Sequence, residues 1–139
     1  FADPKDLVKN VESARVISKE LKMKVKIRPH INEDGVKNPE YLINEKLADL
    51  KNIQGLGGIK NGLDSSRKQQ CEYTVFNLDA FESLKPEMVQ NKLNGIYKLY
   101  GDKFSGQQMI FIYSGKAVKV SWKDVKSGKV TKLLKELQE

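Results

Sequence analysis

A chain of 139 residues with 39% hydrophobic content can build one core but not two, so residues 1–139 read as a single domain. Apolar stretches such as Met109 to Tyr113 are strand-sized, far short of the roughly 20 residues that cross a bilayer, and the lone Cys71 excludes an intramolecular disulfide. Lys and Arg number 25 against 18 Asp and Glu, and the resulting charge of +7 favours an anionic partner such as nucleic acid or an acidic protein. The opening Phe1-Ala2-Asp3-Pro4-Lys5-Asp6 has neither an initiator methionine nor the basic and apolar regions of a secretory signal. It is expected to belong to a C-terminal fragment of a larger protein.

Leu7, Val11, Ala14 and Leu21 recur at helical spacing and predict an amphipathic helix from about Asp6 to Leu21, capped by Asp6 after Pro4. Glu12 sits beside that stripe, near Val8 and Val16. Lys24-Val25-Lys26-Ile27-Arg28 alternates as a half-buried strand does, is closed by Pro29, and leads to a loop at Asn32-Glu33-Asp34-Gly35. Glu40 to Ile43 and Lys46 to Lys51 pair as a hairpin through a tight turn at Asn44-Glu45. Gly55, Gly57 and Gly58 lead into a second helix, about Ile59 to Gln70, with Ile59, Leu63, Ser66 and Gln70 on one face. Tyr73 to Leu78, dense in β-branched and aromatic residues, predicts a central strand, and Cys71 just before it a buried structural thiol.

A third helix from about Lys85 to Tyr100 carries Met88, Leu93, Ile96, Leu99 and Tyr100 and stops at Gly101. Strands at Met109–Tyr113 and Ala117–Trp122 flank the hairpin signal Ser114-Gly115-Lys116, and the tail after Lys123 is helix-like near its end. The order is helix, three strands, helix, strand, helix, two strands, tail. It predicts an α/β fold, a mixed sheet flanked by helices.

The first hairpin sets Glu40 and Asp49 at adjacent positions. Asp49 and Lys51, two apart on a strand, point to one sheet face while Leu50 points to the other. Oxygen ligands such as Glu40 and Asp49 hold Mg²⁺ or another divalent metal, which polarises a phosphoryl oxygen and helps generate hydroxide. Lys51 can stabilise charge building on phosphate or orient the attacking water. The plain alternative makes the three residues a solvated hairpin face, where cross-strand charge pairs contribute only ~0.2–1 kcal/mol.

Pro39-Glu40, eight residues, then Asp49-Leu50-Lys51 resembles the motif of the PD-(D/E)xK nuclease superfamily, and the helix-strand-strand-strand-helix-strand order over Asp6 to Leu78 resembles its core. More narrowly, Asn38-Pro39-Glu40-Tyr41-Leu42-Ile43 through Ala48-Asp49-Leu50-Lys51, then a helix ending in Gln69-Gln70 before Tyr73-Thr74-Val75-Phe76, is similar to the C-terminal toxin domains of contact-dependent growth inhibition (CdiA-like) effectors. Several of those domains are transfer-RNA nucleases. The resemblance implies a site of Glu12, Glu40, Asp49 and Lys51 with one of Lys68, Gln69 or Gln70. The first strand acid is Glu40 where the pattern has Asp, which shifts a metal ligand by about a methylene.

The expected function is thus an endonuclease toxin that cuts RNA, transfer RNA by resemblance, and is neutralised by a cognate immunity protein. The family implies a secreted or cell-surface effector acting in the target-cell cytoplasm. Three alternatives stay open: a DNA endonuclease of the same superfamily, a metal-independent ribonuclease of the barnase and colicin type resting on His30 and lysines, and a non-catalytic nucleic-acid-binding module. His30, the sole histidine, follows Pro29 and also suits a plain surface position. Gly55-Leu56-Gly57-Gly58 precedes a helix, as phosphate-wrapping loops do, but lacks the lysine and Ser/Thr of a nucleotide P-loop. Lys116, Lys119, Lys123, Lys126, Lys129, Lys132 and Lys135, against the single acid Asp124, make a candidate phosphate-binding stripe. Tyr113 and Trp122 nearby suit either base stacking or a core role.

Overall fold

The computed structural model describes residues 4–29 and 39–139. His30 and the Asn32–Gly35 loop lie outside the described residues, as do the side chains of Asp6 and Leu7. The chain runs α1 (Pro4–Leu21), β1 (Val25–Ile27), β2 (Tyr41–Ile43), β3 (Lys46–Asn52), α2 (Gly57–Lys68), β4 (Tyr73–Asn77), α3 (Pro86–Tyr100), β5 (Gln108–Tyr113), β6 (Lys116–Val120), α4 (Trp122–Ser127) and α5 (Val130–Lys135). Single 3₁₀ turns follow α3 and α5. The six strands form one mixed sheet in sequential order. β3, β4 and β5 run parallel, and antiparallel strands flank them on both sides. This is the α/β architecture that the sequence predicts.

Both hairpins close through two residues with positive φ, Asn44 and Glu45 at 49° and 69° and Ser114 and Gly115 at 52° and 79°. Such turns match the right-handed twist of the flanking strands. β4 is the central strand expected, buried on both faces from Tyr73 to Phe76. Its parallel neighbours are reached through the crossover helices α2 and α3 on one face, while α1 covers the other.

The alternation along each strand divides the core into two layers. Tyr41, Ile43, Ala48, Leu50, Val75, Ile110 and Ile112 pack with Ala14 and Ile17 of α1. On the other face Phe76, Met109, Phe111, Val118 and Val120 meet α2, α3, α4 and α5 through Leu63, Leu93, Val125 and Leu134. The buried stripe of α1 runs through Ser13, Ala14 and Ile17 instead of Val11 and Leu21, which are half-buried. On α3, Met88, Leu99 and Tyr100 are exposed while Val89, Gln90, Leu93 and Ile96 face inward.

Two boundaries differ from the sequence reading. β6 ends at Val120, because Ser121 and Asp124 form a capping box that starts α4, so Trp122 is helical. α2 ends at Lys68, and Gln70 has a φ of 59°, so neither Gln69 nor Gln70 continues the helix.

α2 lies against the sheet through Gly62. A Cβ there would stand 2.7 Å from Cε1 of Phe76 and 3.1 Å from Cγ of Lys51. Gly62→Ala should therefore destabilise the domain by about 1–3 kcal/mol, despite alanine's better helix propensity, because the ring and the lysine stem must move. Denaturant unfolding checks this, and a stabilised variant would contradict the close approach.

Candidate active site

The β2–β3 register pairs Tyr41 with Ala48, so its continuation sets Glu40 beside Asp49. Ala48 and Leu50 enter the layer under α1. Asp49 and Lys51 face the opposite way, toward α2, where Asp49 aligns with Thr74 and Lys51 with Phe76 of β4. Asp49 is only 2% exposed, so these residues are not a solvated hairpin face.

An ion pair and hydrogen bonds link the polar groups of this cleft. Lys51 Nζ lies 2.9 Å from Asp49 Oδ2 and donates to Ser65 Oγ at 3.0 Å. Gln69 Nε2 donates to the same carboxylate oxygen at 3.1 Å. The Leu50 backbone N–H donates to Glu40 Oε2 at 2.8 Å, which fixes the glutamate across the strand pair. Arg28 holds the approach to Glu40. Its backbone N–H donates to the Glu40 carbonyl at 2.9 Å and its guanidinium to the Pro39 carbonyl at 3.0 Å.

Burial is the main cause that pushes the Glu40 carboxyl from 4.5 up to about 8, and a hydrogen bond with Asp49 and the Asp49 charge add to it. Glu40 thus keeps its proton well above the usual carboxylate range. Cys71 borders the pair. Its thiol is pushed up to about 12, first by burial and then by the charges of Asp49 and Glu40, with Lys51 and Arg28 opposing. It is the buried thiol expected. Tyr41 is raised by burial and by Glu40, and its hydroxyl donates to the Asn10 carbonyl at 2.6 Å.

The structure joins Glu40, Asp49 and Lys51 and brings Gln69 to them. Glu12 is exposed on α1, which packs on the opposite face of the sheet. Of the three residues at the end of α2, Gln69 reaches Asp49, while Lys68 and Gln70 are exposed. Arg28 and Ser65 escaped the sequence reading, since one looked like a strand end and the other like helix surface.

The lysines of the C-terminal third lie on different elements. Lys119 shares a face of β6 with Ala117 and lies 5.9 Å from the Tyr73 ring, on the α1 side. Lys126 lies 4.8 Å from the Tyr97 ring, Lys135 pairs with Glu87 at 3.5 Å, and Lys116 bonds the Glu139 carbonyl. Lys123 and Lys129 are exposed. Trp122 is buried, with its indole N–H donating to the Phe104 carbonyl at 2.8 Å, so it takes the core role. In the glycine turn before α2, the Gly58 and Ile59 N–H groups bond back to Gly55 and Leu56 instead of facing a ligand.

Glu40 and Asp49 are the two carboxyls brought side by side here, and a divalent cation held between them would relieve their repulsion. Among the described residues no three of His, Cys, Asp and Glu form a metal cluster. Glu40 and Asp49 would be the protein ligands, a number that fits Mg²⁺, which keeps several waters and takes phosphate oxygens.

Residues 37–117 match the family model for the contact-dependent growth inhibition CdiA C-terminal domain. The chain belongs to that family. The match runs from the approach to Glu40 through Ala117, so this CdiA C-terminal domain carries its whole carboxylate cleft inside it. Among solved structures, a chain of the CdiA-CT/CdiI toxin and immunity complex from Burkholderia pseudomallei shares the fold. Its TM-score is 0.60 at 19% identity, over 87% of this chain and 90% of that one. No curated protein matches the chain. Among the described residues no helix is long and apolar enough to cross a membrane.

The proton held by Glu40 has a thermodynamic consequence. The folded state holds the Glu40 proton up to about 8, whereas the unfolded chain releases it near 4.5. Folding therefore takes up a proton between those values, and this contribution to stability, full at low pH, is lost as pH rises through the window. Glu40→Gln keeps the shape and removes the titration. Its melting temperature should gain on wild type progressively from pH 5 to pH 8, and a pH-independent difference would contradict the raised Glu40 value.

Proposed function

We propose that this CdiA C-terminal domain is a toxin with endonuclease activity on RNA, most directly transfer RNA, centred on Asp49, Lys51 and Glu40. The observation that carries the reading is the buried Asp49 carboxylate paired with the half-buried Lys51, held by Gln69 and Ser65 beside a second carboxyl. Burying charge is costly without a use or a compensating network, and perturbed acids in a cleft mark functional sites. The PD-(D/E)xK spacing of Glu40, Asp49 and Lys51 supports the same reading.

In this proposal Asp49 and Glu40 present oxygens to a divalent cation, which would polarise the scissile phosphoryl group and lower the pKa of a water. Lys51, fixed by Asp49 and Ser65, places its ammonium where charge develops on phosphate. Gln69 holds the Asp49 carboxylate in orientation. Glu12, which the resemblance adds to the site, would have to reach it from α1 across the sheet. The solved relative is a toxin and immunity complex, and a cognate immunity protein with an acidic face is the proposed partner here, matching the charge of +7. The domain would act in the target-cell cytoplasm as part of a cell-surface effector.

Purified domain incubated with total transfer RNA or plasmid, with Mg²⁺ or EDTA, tests substrate and metal together. RNA cleavage that needs Mg²⁺ is expected. Cleavage surviving EDTA would turn attention to His30, and cutting of plasmid alone would favour the DNA reading. Asp49→Asn and Lys51→Gln should each lower the cleavage rate by at least ~100-fold. Circular dichroism must show both folded. Wild-type rates in either variant would remove the proposed centre.

The exposed lysines near α4 are proposed phosphate contacts. Replacing Lys123, Lys126 and Lys129 with Gln should reduce the logarithmic salt slope of RNA binding by about 0.7 to 0.9 per lost contact. The single-turnover rate at saturation should hold. An unchanged slope would assign these lysines to the solvated surface.

A further inference from the structure

Beyond the carboxylate cleft, α2 and α3 enclose a groove of about 380 Å³ whose walls include Lys60, Asn61, Asn91, Lys92, Leu99 and Tyr100. Asn61 also lines a second cavity, bordered by Lys51, Asn52 and Gly62. The groove therefore begins, across the exposed side of α2, where the cleft ends.

Its chemistry is that of a nucleotide site. Ammonium groups and amides line it, and among the described residues no carboxylate does. Leu99 and Tyr100 stand at the rim with 78% and 37% exposure. The Tyr100 ring is held in place by the Lys60 and Lys103 ammoniums, 5.1 and 5.3 Å from its centroid, and both lysines are anchored by Asp64. A ring fixed in this way loses little freedom when a base rests against it.

The groove floor is bare. A Cβ on Gly57 or Gly95 would meet nothing within 4 Å, and neither residue has a left-handed backbone. Gly95 lies well inside α3, where alanine would make a better helix. Neither packing nor backbone conformation calls for glycine there, whereas close approach of a ligand does.

We propose that the α2–α3 groove is a nucleotide subsite. It takes an unpaired RNA nucleotide beside the scissile phosphate, with the base against Leu99 and Tyr100, a phosphate on Lys92, and polar edges on Asn61 and Asn91. The inference rests on the nuclease reading above and adds the substrate's path.

Single-turnover cleavage of total transfer RNA over a concentration series tests it, with melting temperatures measured in parallel. Tyr100→Ala should raise the half-saturating concentration about tenfold, the loss expected of one stacked base. Lys92→Gln should raise it several-fold and flatten the salt slope by about 0.7 to 0.9. Gly95→Gln should close the groove and weaken saturation while melting at or above the wild-type temperature, a combination that a folding defect does not produce. Plateau rates should stay at the wild-type value in all three.

Half-saturation within twofold of wild type in all three variants, with wild type cutting RNA normally, would overturn the subsite and leave the nuclease reading standing. Cleavage of plasmid alone would overturn the RNA occupant. A wild-type domain that cuts neither nucleic acid would remove both proposals.

Discussion

Asp49 exchanges water for Lys51, Gln69 and a protonated Glu40, and the surrounding elements are arranged to make that exchange tolerable. β3 is bonded on both edges, to β2 and β4, so the backbone under Asp49 and Lys51 cannot slide. α2 brings Ser65 and Gln69 down onto the sheet, and it comes close enough because Gly62 leaves room for the Phe76 ring and the Lys51 stem. The Leu50 N–H, left on the β2 side, fixes Glu40. Taking any one of these away leaves a buried charge or donor without its partner, which is costlier than losing a surface ion pair.

Period-two alternation made much of this arrangement readable in advance. Asp49 and Lys51 could be placed on one face, and Glu40 beside them, because the turn at Asn44-Glu45 fixes the register of the first hairpin. The depth of Asp49 was not readable, since a hairpin seen alone looks equally able to present its charges to solvent. Burial comes from α2, and how α2 lies depends on the small side of Gly62 facing Phe76, a contact between residues 14 apart. Arg28 was hidden for a similar reason, because its partners Pro39 and Glu40 come from beyond a long intervening segment.

Ends of helices were the other blind spot. Gln70 shares the apolar phase of α2 with Ile59, Leu63 and Ser66, yet the helix has stopped two residues earlier and Gln70 sits in a left-handed conformation that its residue type does not announce. Gln69, at the helix cap, donates its amide to Asp49. At Ser121 the signal was present, a serine followed three residues later by an aspartate. The strand-like run through Val120 overshadowed it, and Trp122 was carried into the strand when it is the first residue of α4. Glu12 shows the limit of a linear pattern: a helix position beside an apolar stripe leaves open which side of the sheet that stripe will cover.

Cys71 carries a consequence for the surroundings in which the fold can persist. Disulfides persist in oxidising surroundings and are lost in reducing ones, so a fold without one is indifferent to that difference. This stretch of chain has no second cysteine to pair with, and its one thiol is pushed up to about 12, first by burial and then by the acids that form the cleft. The thiolate, the form that oxidants attack, is therefore scarce, and no covalent cross-link within the domain has to be made or broken as the redox environment changes.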